Sequence, residues 1–192
     1  MPAKVVGVTG SPRASGNTDF AVNSVLEMLA RERDASTELL ALRDYHLKHC
    51  AGCRGCMTAK RCVIEGDDLD RMVEPLKEAD VIIVGSPVYW NSPPGVMKDF
   101  MDRVHGWFVA GPIWEGKQAG IISVAADGGF ESHEDALRGW LRYYGANVAA
   151  ETRLLAREAG DLEANPRERE KLDRFARDMA DAIGQRSLIS DA

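Results

Sequence analysis

No stretch of this chain is apolar for long enough to cross a membrane. Even Val81–Val84 and Ile121–Ile122 sit inside short strand-like segments. Cationic charge is scarce relative to anionic: 24 Lys and Arg face 30 Asp and Glu, for a formal net charge of −6. That balance argues against a nucleic-acid or anionic-membrane partner held by bulk electrostatics. It leaves room for a small anionic ligand, because backbone amides bind phosphate without any cationic excess. The N-terminus lacks the basic stretch and apolar core of a secretory signal and runs straight into a strand pattern. The expected location is therefore the cytoplasm. Cysteine is absent except between Cys50 and Cys62, where all four fall. In a reducing compartment such crowding points to metal ligation or redox chemistry more than to a disulfide framework.

What is present reads as one globular domain over residues 1–192, with a cysteine-rich loop at 50–62. Lys4–Thr9 is a short strand, and Gly10–Asn17 is a turn rich in Gly, Ser and Pro. A helix follows with Ala21, Val25, Met28 and Leu29 on one face. Thr37–Leu42 reads as a second strand. Asp67 is the expected N-cap of a helix carrying Leu69, Met72, Val73 and Leu76. Val81–Gly85, Ala119–Ala125 and, more weakly patterned, Asn147–Ala150 are further strands. Helices between them are marked by Met97, Phe100, Met101 and Val104, then by Leu137, Trp140, Leu141 and Tyr144. Arg157–Asn165 reads as a loop. The last helix is signposted by Asn165 as N-cap, Pro166 at its first position and Glu168 at its third. This βαβαβαβαβα order predicts an α/β fold, a doubly wound five-stranded parallel sheet in the flavodoxin-like order 2-1-3-4-5 with helices on both faces.

In such sheets ligands bind beyond the carboxyl ends of the strands, where strand order reverses. Three distinctive loops fall there. The first, Gly10–Thr18, offers the hydroxyls and amide of Ser11, Ser15, Asn17 and Thr18, a cationic fork at Arg13, and a close backbone approach at Gly16. That set suits a phosphate monoester, although a βα turn capped by Ser or Thr has the same residue types. It lacks the G-x-G-x-x-G of dinucleotide folds and the G-K-[ST] of nucleotide P-loops, which sets aside NAD and ATP as tightly held ligands. The second loop, Ser86–Gly95, is stiffened by proline and presents Tyr89 and Trp90 as flat surface for a ring system, with Asn91 and Ser92 for ring heteroatoms. The same two aromatics could equally pack the loop onto the sheet. In the third, Gly128 and Gly129 free backbone amides for a ligand edge, while Asp127 is either catalytic or a turn former.

The first loop taken with Ser86–Arg103 (Ser-Pro-Val-Tyr-Trp…Met-Lys-Asp-Phe-Met-Asp-Arg) resembles the NADPH-dependent FMN reductase superfamily. Within it the chain is most similar to the iron–sulfur flavoproteins. The resemblance runs from Lys4 to Ala149. It implies that Ser11, Arg13, Ser15, Gly16, Asn17 and Thr18 hold the FMN phosphate. It implies further that Pro87, Val88, Tyr89, Trp90, Asn91 and Ser92 border the isoalloxazine and ribityl chain, and that Asp127, Gly128 and Gly129 close its other edge. Lys98, Asp99 and Arg103 belong to the same signature and are expected to be structural or interfacial.

Cys50, Cys53, Cys56 and Cys62 follow a C-x₂-C-x₂-C-x₅-C pattern. Soft thiolates select zinc or iron–sulfur clusters, and three ligands so closely spaced lean toward a [4Fe–4S] cluster. The pattern matches the iron–sulfur flavoprotein motif at all four positions, which implies a cluster exchanging electrons with FMN. Free thiols and zinc remain the alternatives. Lys60 and Arg61 favour thiolate character in either case.

The expected activity is that of an FMN-dependent oxidoreductase. Its donor would be NAD(P)H, a cluster or ferredoxin, and its acceptor a quinone, free flavin or another small molecule. The competing expectation is a non-enzymatic electron carrier that docks a redox protein such as ferredoxin. A homodimer or homotetramer is expected. The apolar segment 106–116, with Trp107, Phe108, Ile113 and Trp114, serves as flavin cap, subunit contact or plain core. His49, beside Cys50, reads as a solvated loop histidine.

Overall fold

The structure is a computed structural model that describes residues 2–190. Its centre is a five-stranded parallel sheet in the order β2-β1-β3-β4-β5. The strands are β1 (Lys4–Thr9), β2 (Ser36–Ala41), β3 (Val81–Pro87), β4 (Gln118–Ala125) and β5 (Asn147–Leu155). Helices are α1 (Asn17–Arg33), α2 (Gly55–Ala59), α3 (Leu69–Glu78), α4 (Gly95–Arg103), α5 (His105–Ala110), α6 (Phe130–Tyr143), α7 (Asp161–Ala164) and α8 (Pro166–Ser190). The expected strand order is the observed one.

Two apolar layers hold the sheet. On one face Val5, Ile83 and Ile122 pack against Val22 and Leu29 of α1 and Phe175 and Met179 of α8. On the other, Val6, Ile82 and Ile121 meet Met72 of α3, Phe100 of α4 and Trp140 of α6. Each such side chain, fully withdrawn from water, contributes roughly 1.5–3 kcal/mol against the entropy of ordering it. Glycines set how closely the layers approach. A Cβ on Gly120 would lie 2.6 Å from the Phe175 ring, and one on Gly85 2.3 Å from Val22.

Several boundaries differ from expectation for identifiable reasons. β3 runs on through Ser86 and Pro87, which pair with Ser123 and Val124 of β4. The β1 ladder has already ended at Thr9–Gly85, so Pro87 has an open side and its missing N–H breaks nothing there. β5 extends to Leu155 and not only to Ala150. It is an edge strand that alternates exposed and covered residues, with a bulge opposite Ala119/Gly120. Its charges disguise it, but they are paired: Arg138 bridges to Glu151 at 2.6 Å, and Arg153 to Glu134 at 2.7 Å. Such charges also discourage edge-to-edge pairing with another sheet.

At α8, Asn165 Oδ1 accepts the Arg167 amide at 3.1 Å, as an N-cap does. Glu168 does not reach back to complete a capping box. It is buried, accepts the Leu155 amide at 2.9 Å and pairs with Lys171, closing the end of the edge strand. The stretch expected as a loop before Asn165 contains the short helix α7. In the 106–116 segment Trp107 and Trp114 are core residues, while Phe108 is partly exposed. No helix among the described residues is long and apolar enough to cross a membrane.

Candidate functional site

The loops after β1, β3 and β4 leave the same edge of the sheet and meet. Two adjoining cavities lie there and share Val88. The smaller, about 80 Å³, is bordered by Ser11, Arg13, Gly16, Asn17, Thr18, Pro87, Val88 and Tyr89, together with Val124, Ala126, Ala156 and Arg157. The larger, about 400 Å³, is bordered by Val88, Trp90, Asn91, Asp127, Gly128 and Gly129. Of the fifteen residues expected here, thirteen therefore line these two adjoining cavities. Ser15 and Ser92 do not border them and instead shape the turns.

The loop before α1 is held from behind by a buried carboxylate. Asp19, in the first turn of α1, accepts the Thr9 hydroxyl at 2.7 Å and the Ser15 amide at 2.8 Å. Ser15 takes a left-handed φ of 53° to make that bond. Arg43, just past β2, neutralises Asp19 at 2.8 Å and also reaches the Ser11 carbonyl. An acid so near a candidate anion site is tolerable only because it is paired. Ser11 Oγ bonds the Arg13 backbone, donating to its carbonyl at 3.1 Å and accepting its amide at 3.2 Å. No side chain caps α1 at Gly16, so the positive end of its macrodipole faces the smaller cavity. Asn17 uses its amide elsewhere. It donates to the Glu158 carbonyl at 2.8 Å and accepts the Leu162 amide at 3.2 Å, which fastens the β5–α8 connection to the first loop.

At the other end Tyr89 and Ser92 exchange backbone hydrogen bonds of 2.9 and 3.1 Å around Trp90 and Asn91. Both central residues have positive φ, 51° and 60°. This is the geometry of a type I′ turn, which normally prefers Asn-Gly. A tryptophan held left-handed and 98% exposed is costly on both counts and earns no packing within its own chain. The turn contacts the third loop: a Cβ on Gly129, whose φ is 83°, would lie 2.2 Å from Asn91 Oδ1. Asp127 is exposed at the mouth of the larger cavity, with no hydrogen-bond partner among the described residues.

Beneath the second loop His133 of α6 is fully buried, its Nδ1 3.2 Å from Ser123 Oγ. Burial pushes its pKa down to about 4, and the Pro87 carbonyl, which favours the protonated ring, offsets this only in part. The cysteine segment meets the carboxyl-terminal end of α4. All four thiols border one cavity of about 630 Å³. Cys50 and Cys53 are exposed, Cys56 and Cys62 half-buried, and none is in a disulfide. The soft donor set and the room fit a metal or cluster. The thiols are not drawn together, and among the described residues no three His, Cys, Asp or Glu side chains converge as a metal site. The segment is stapled by buried Arg103. Its Nε donates to Cys62 Sγ at 3.1 Å, its Nη1 to the Lys48 carbonyl and to Asp67 at 2.6 Å, and its Nη2 to the Ile64 carbonyl at 3.4 Å. Burial pushes the Asp67 carboxyl up, but Arg103 and the amides of Lys48 and Leu69 outweigh this and hold it below the ordinary range. Asp67 is thus an anchor for Arg103 more than a helix cap. Gly106 of α5 lets the segment dock, since a Cβ there would lie 2.5 Å from the Arg61 backbone. His49 is exposed and pairs with Asp99 at 2.8 Å.

Residues 3–161 match the model of the family described as NADPH-dependent FMN reductase. The chain belongs to that family. Flavin-dependent oxidoreduction is the class of chemistry that membership in the FMN reductase family carries. Relatives include an iron–sulfur flavoprotein of Methanocaldococcus jannaschii, 38% identical over 131 residues, covering 67% of this chain and 66% of that protein. An iron–sulfur flavoprotein of Methanosarcina thermophila is 29% identical over 150 residues, 77% of this chain and 78% of that one. Both bear out the resemblance read from the motifs. The fold matches a solved NAD(P)H:quinone oxidoreductase from Methanothermobacter marburgensis with a TM-score of 0.69 at 18% identity, covering 92% of this chain and 94% of that one.

Two outcomes follow from the buried groups. Replacing Arg103 with Met strands the Asp67 carboxylate, and urea unfolding at pH 7 should show a loss of about 3–5 kcal/mol. Because the folded Asp67 pKa lies below its unfolded value, its contribution is full above the unfolded pKa and is lost as pH falls through the folded one. In the variant the stranded carboxyl is instead pushed up by burial, so the gap between wild type and variant should narrow progressively as the pH falls towards about 4 and below. His133 acts in another window. The unfolded chain binds its proton near pH 6.5 and the folded chain only near 4, so stability should fall by on the order of 3 kcal/mol between those values. His133→Phe should flatten that limb of the urea-derived stability profile; an unchanged limb assigns it to other groups.

Proposed function

We propose that this chain binds FMN in the crevice and moves electrons from NAD(P)H to a small acceptor such as a quinone or free flavin. The single observation that carries the reading is the pair of adjoining cavities sharing Val88. One end has hydroxyls, an arginine and an uncapped helix start, and the other has an exposed aromatic and glycine-freed backbone. The charge at one end suits a phosphomonoester, and the flat surface at the other suits a tricyclic ring.

In this reading Ser11, Arg13, Thr18 and the Gly16–Asn17 backbone hold the phosphate. Ser15 fixes the loop through Asp19, and Asn17 fixes it through the β5–α8 connection. Pro87, Val88 and Tyr89 lie along the ribityl chain, with Ser92 closing their turn. Trp90, Asn91 and the Asp127-Gly128-Gly129 loop border the ring. When bound, FMN supplies the redox chemistry, and no side chain of the crevice is required as acid or base. Trp90 gains in the complex the contacts it lacks in the free chain, which accounts for a conformation otherwise unrewarded. The unit acts as one domain over residues 1–192 and assembles as a homodimer or homotetramer.

Cys50, Cys53, Cys56 and Cys62 would hold a [4Fe–4S] cluster. The soft donor set, its spacing and the names of the relatives support this; the thiols would close around the cluster as it is loaded. A second reading, an electron carrier reduced by ferredoxin, is favoured by the same cysteine segment.

The test is an absorption spectrum of anaerobically purified protein with iron, sulfide and zinc assays, followed by NADPH oxidation with a quinone. Flavin bands, about four irons per chain and quinone turnover are expected. Flavin reduced only by ferredoxin selects the carrier, and a colourless protein that takes up no FMN overturns both.

A further inference from the structure

The sequence marks three loops for the crevice, and the structure adds a fourth. We propose that Arg157, from the connection after β5, is a second phosphate-reading residue that with Arg13 forms a two-guanidinium clamp. This inference rests on the FMN reading above and says how that site distinguishes a flavin phosphate from a bare flavin.

Arg157 borders the same small cavity as Ser11, Arg13, Asn17, Thr18 and Tyr89. No carboxylate lines that cavity. Neither guanidinium donates a hydrogen bond or forms an ion pair among the described residues, in a chain with six more acids than bases. One acid does feel the Arg157 charge: Asp161 Oδ2 accepts the backbone amides of Glu158 at 2.7 Å and Arg157 at 3.0 Å, and these bonds, with a smaller attraction from the Arg157 charge, hold its carboxyl below the ordinary range without forming an ion pair.

The connection is also not free to wander. Asn17, inside the first loop, bonds the Glu158 carbonyl and the Leu162 amide, and the Ala156 amide donates to the Ala125 carbonyl at 2.9 Å. One residue, Arg157, lies between those two tethers at Ala156 and Glu158. The positioning is therefore built from both sides, by the first loop and by the end of β4. A phosphomonoester carries between one and two negative charges at neutral pH and has three acceptor oxygens, so two planar cationic forks match it in charge and in number of bonds. The remaining acceptors fall to the Ser and Thr hydroxyls and the start of α1. Arg157 is solvent-exposed in the free chain, so its contribution depends on the ligand covering it.

The experiment titrates flavin-free full-length chain with FMN and with riboflavin, following flavin fluorescence, for wild type, Arg157→Gln and Arg157→Lys. Wild type should prefer FMN strongly. Arg157→Gln should weaken FMN about 10- to 100-fold, leave riboflavin unchanged, and lower the salt dependence of FMN binding. Arg157→Lys should recover part of the loss. Equal weakening of both flavins, or no weakening of FMN, overturns the clamp while leaving the crevice intact. If wild type binds the two flavins alike, the phosphate reading itself fails and the clamp fails with it.

Discussion

The constraint on which everything else depends is the reversal of strand order at β1. Its two neighbours are β2 and β3, and right-handed crossovers to either side must pass over opposite faces of the sheet. α1 is thereby committed to one face and α3 to the other, as the two apolar layers record. The connections leaving β1 and β3 then diverge, and the sheet opens a crevice at its carboxyl edge without any residue being placed there for that purpose. Chain composition decides only what fills the opening.

Two arginine–carboxylate pairs, one buried and one largely covered, turn that opening into ordered loops. Arg43 with Asp19 secures the turn before α1, and Arg103 with Asp67 secures the cysteine segment. A buried pair contributes little net stability over an apolar replacement, because both ions are desolvated. Each pair here also bonds loop backbone: Asp19 takes the Ser15 amide, and Arg103 spans the Lys48 and Ile64 carbonyls. They are better understood as devices that select one loop conformation. Arg103 stands at the end of α4, the helix that begins just after the Trp90 turn. One short helix therefore connects the candidate crevice to the thiols.

The core of this arrangement was legible because it is periodic. Parallel central strands read as apolar runs, and the loop residues were dense enough in Gly, Ser, Pro and aromatics to mark the crevice. What escaped has physical causes. β5 beyond Ala150 alternates Glu and Arg because it is an edge, and its pairing partners Arg138 and Glu134 lie on another element. Asp19, Arg43, Arg157 and His133 act through contacts 10 to 145 residues distant in sequence or are placed by such contacts, and no local pattern announces them. Asn17 has the residue type and neighbours of a ligand donor, whereas its side chain serves the β5–α8 connection. Glu168 fitted a capping box in spacing but was drawn to an unsatisfied strand amide instead.

A crystal structure of the protein grown with FMN tests the central claim most directly. The phosphorus is expected against the Ser11–Thr18 turn, and the tricyclic ring between the Trp90 turn and the Asp127–Gly129 loop. Phosphorus found at any other edge of the sheet, or a ring seated away from both of those loops, contradicts that claim.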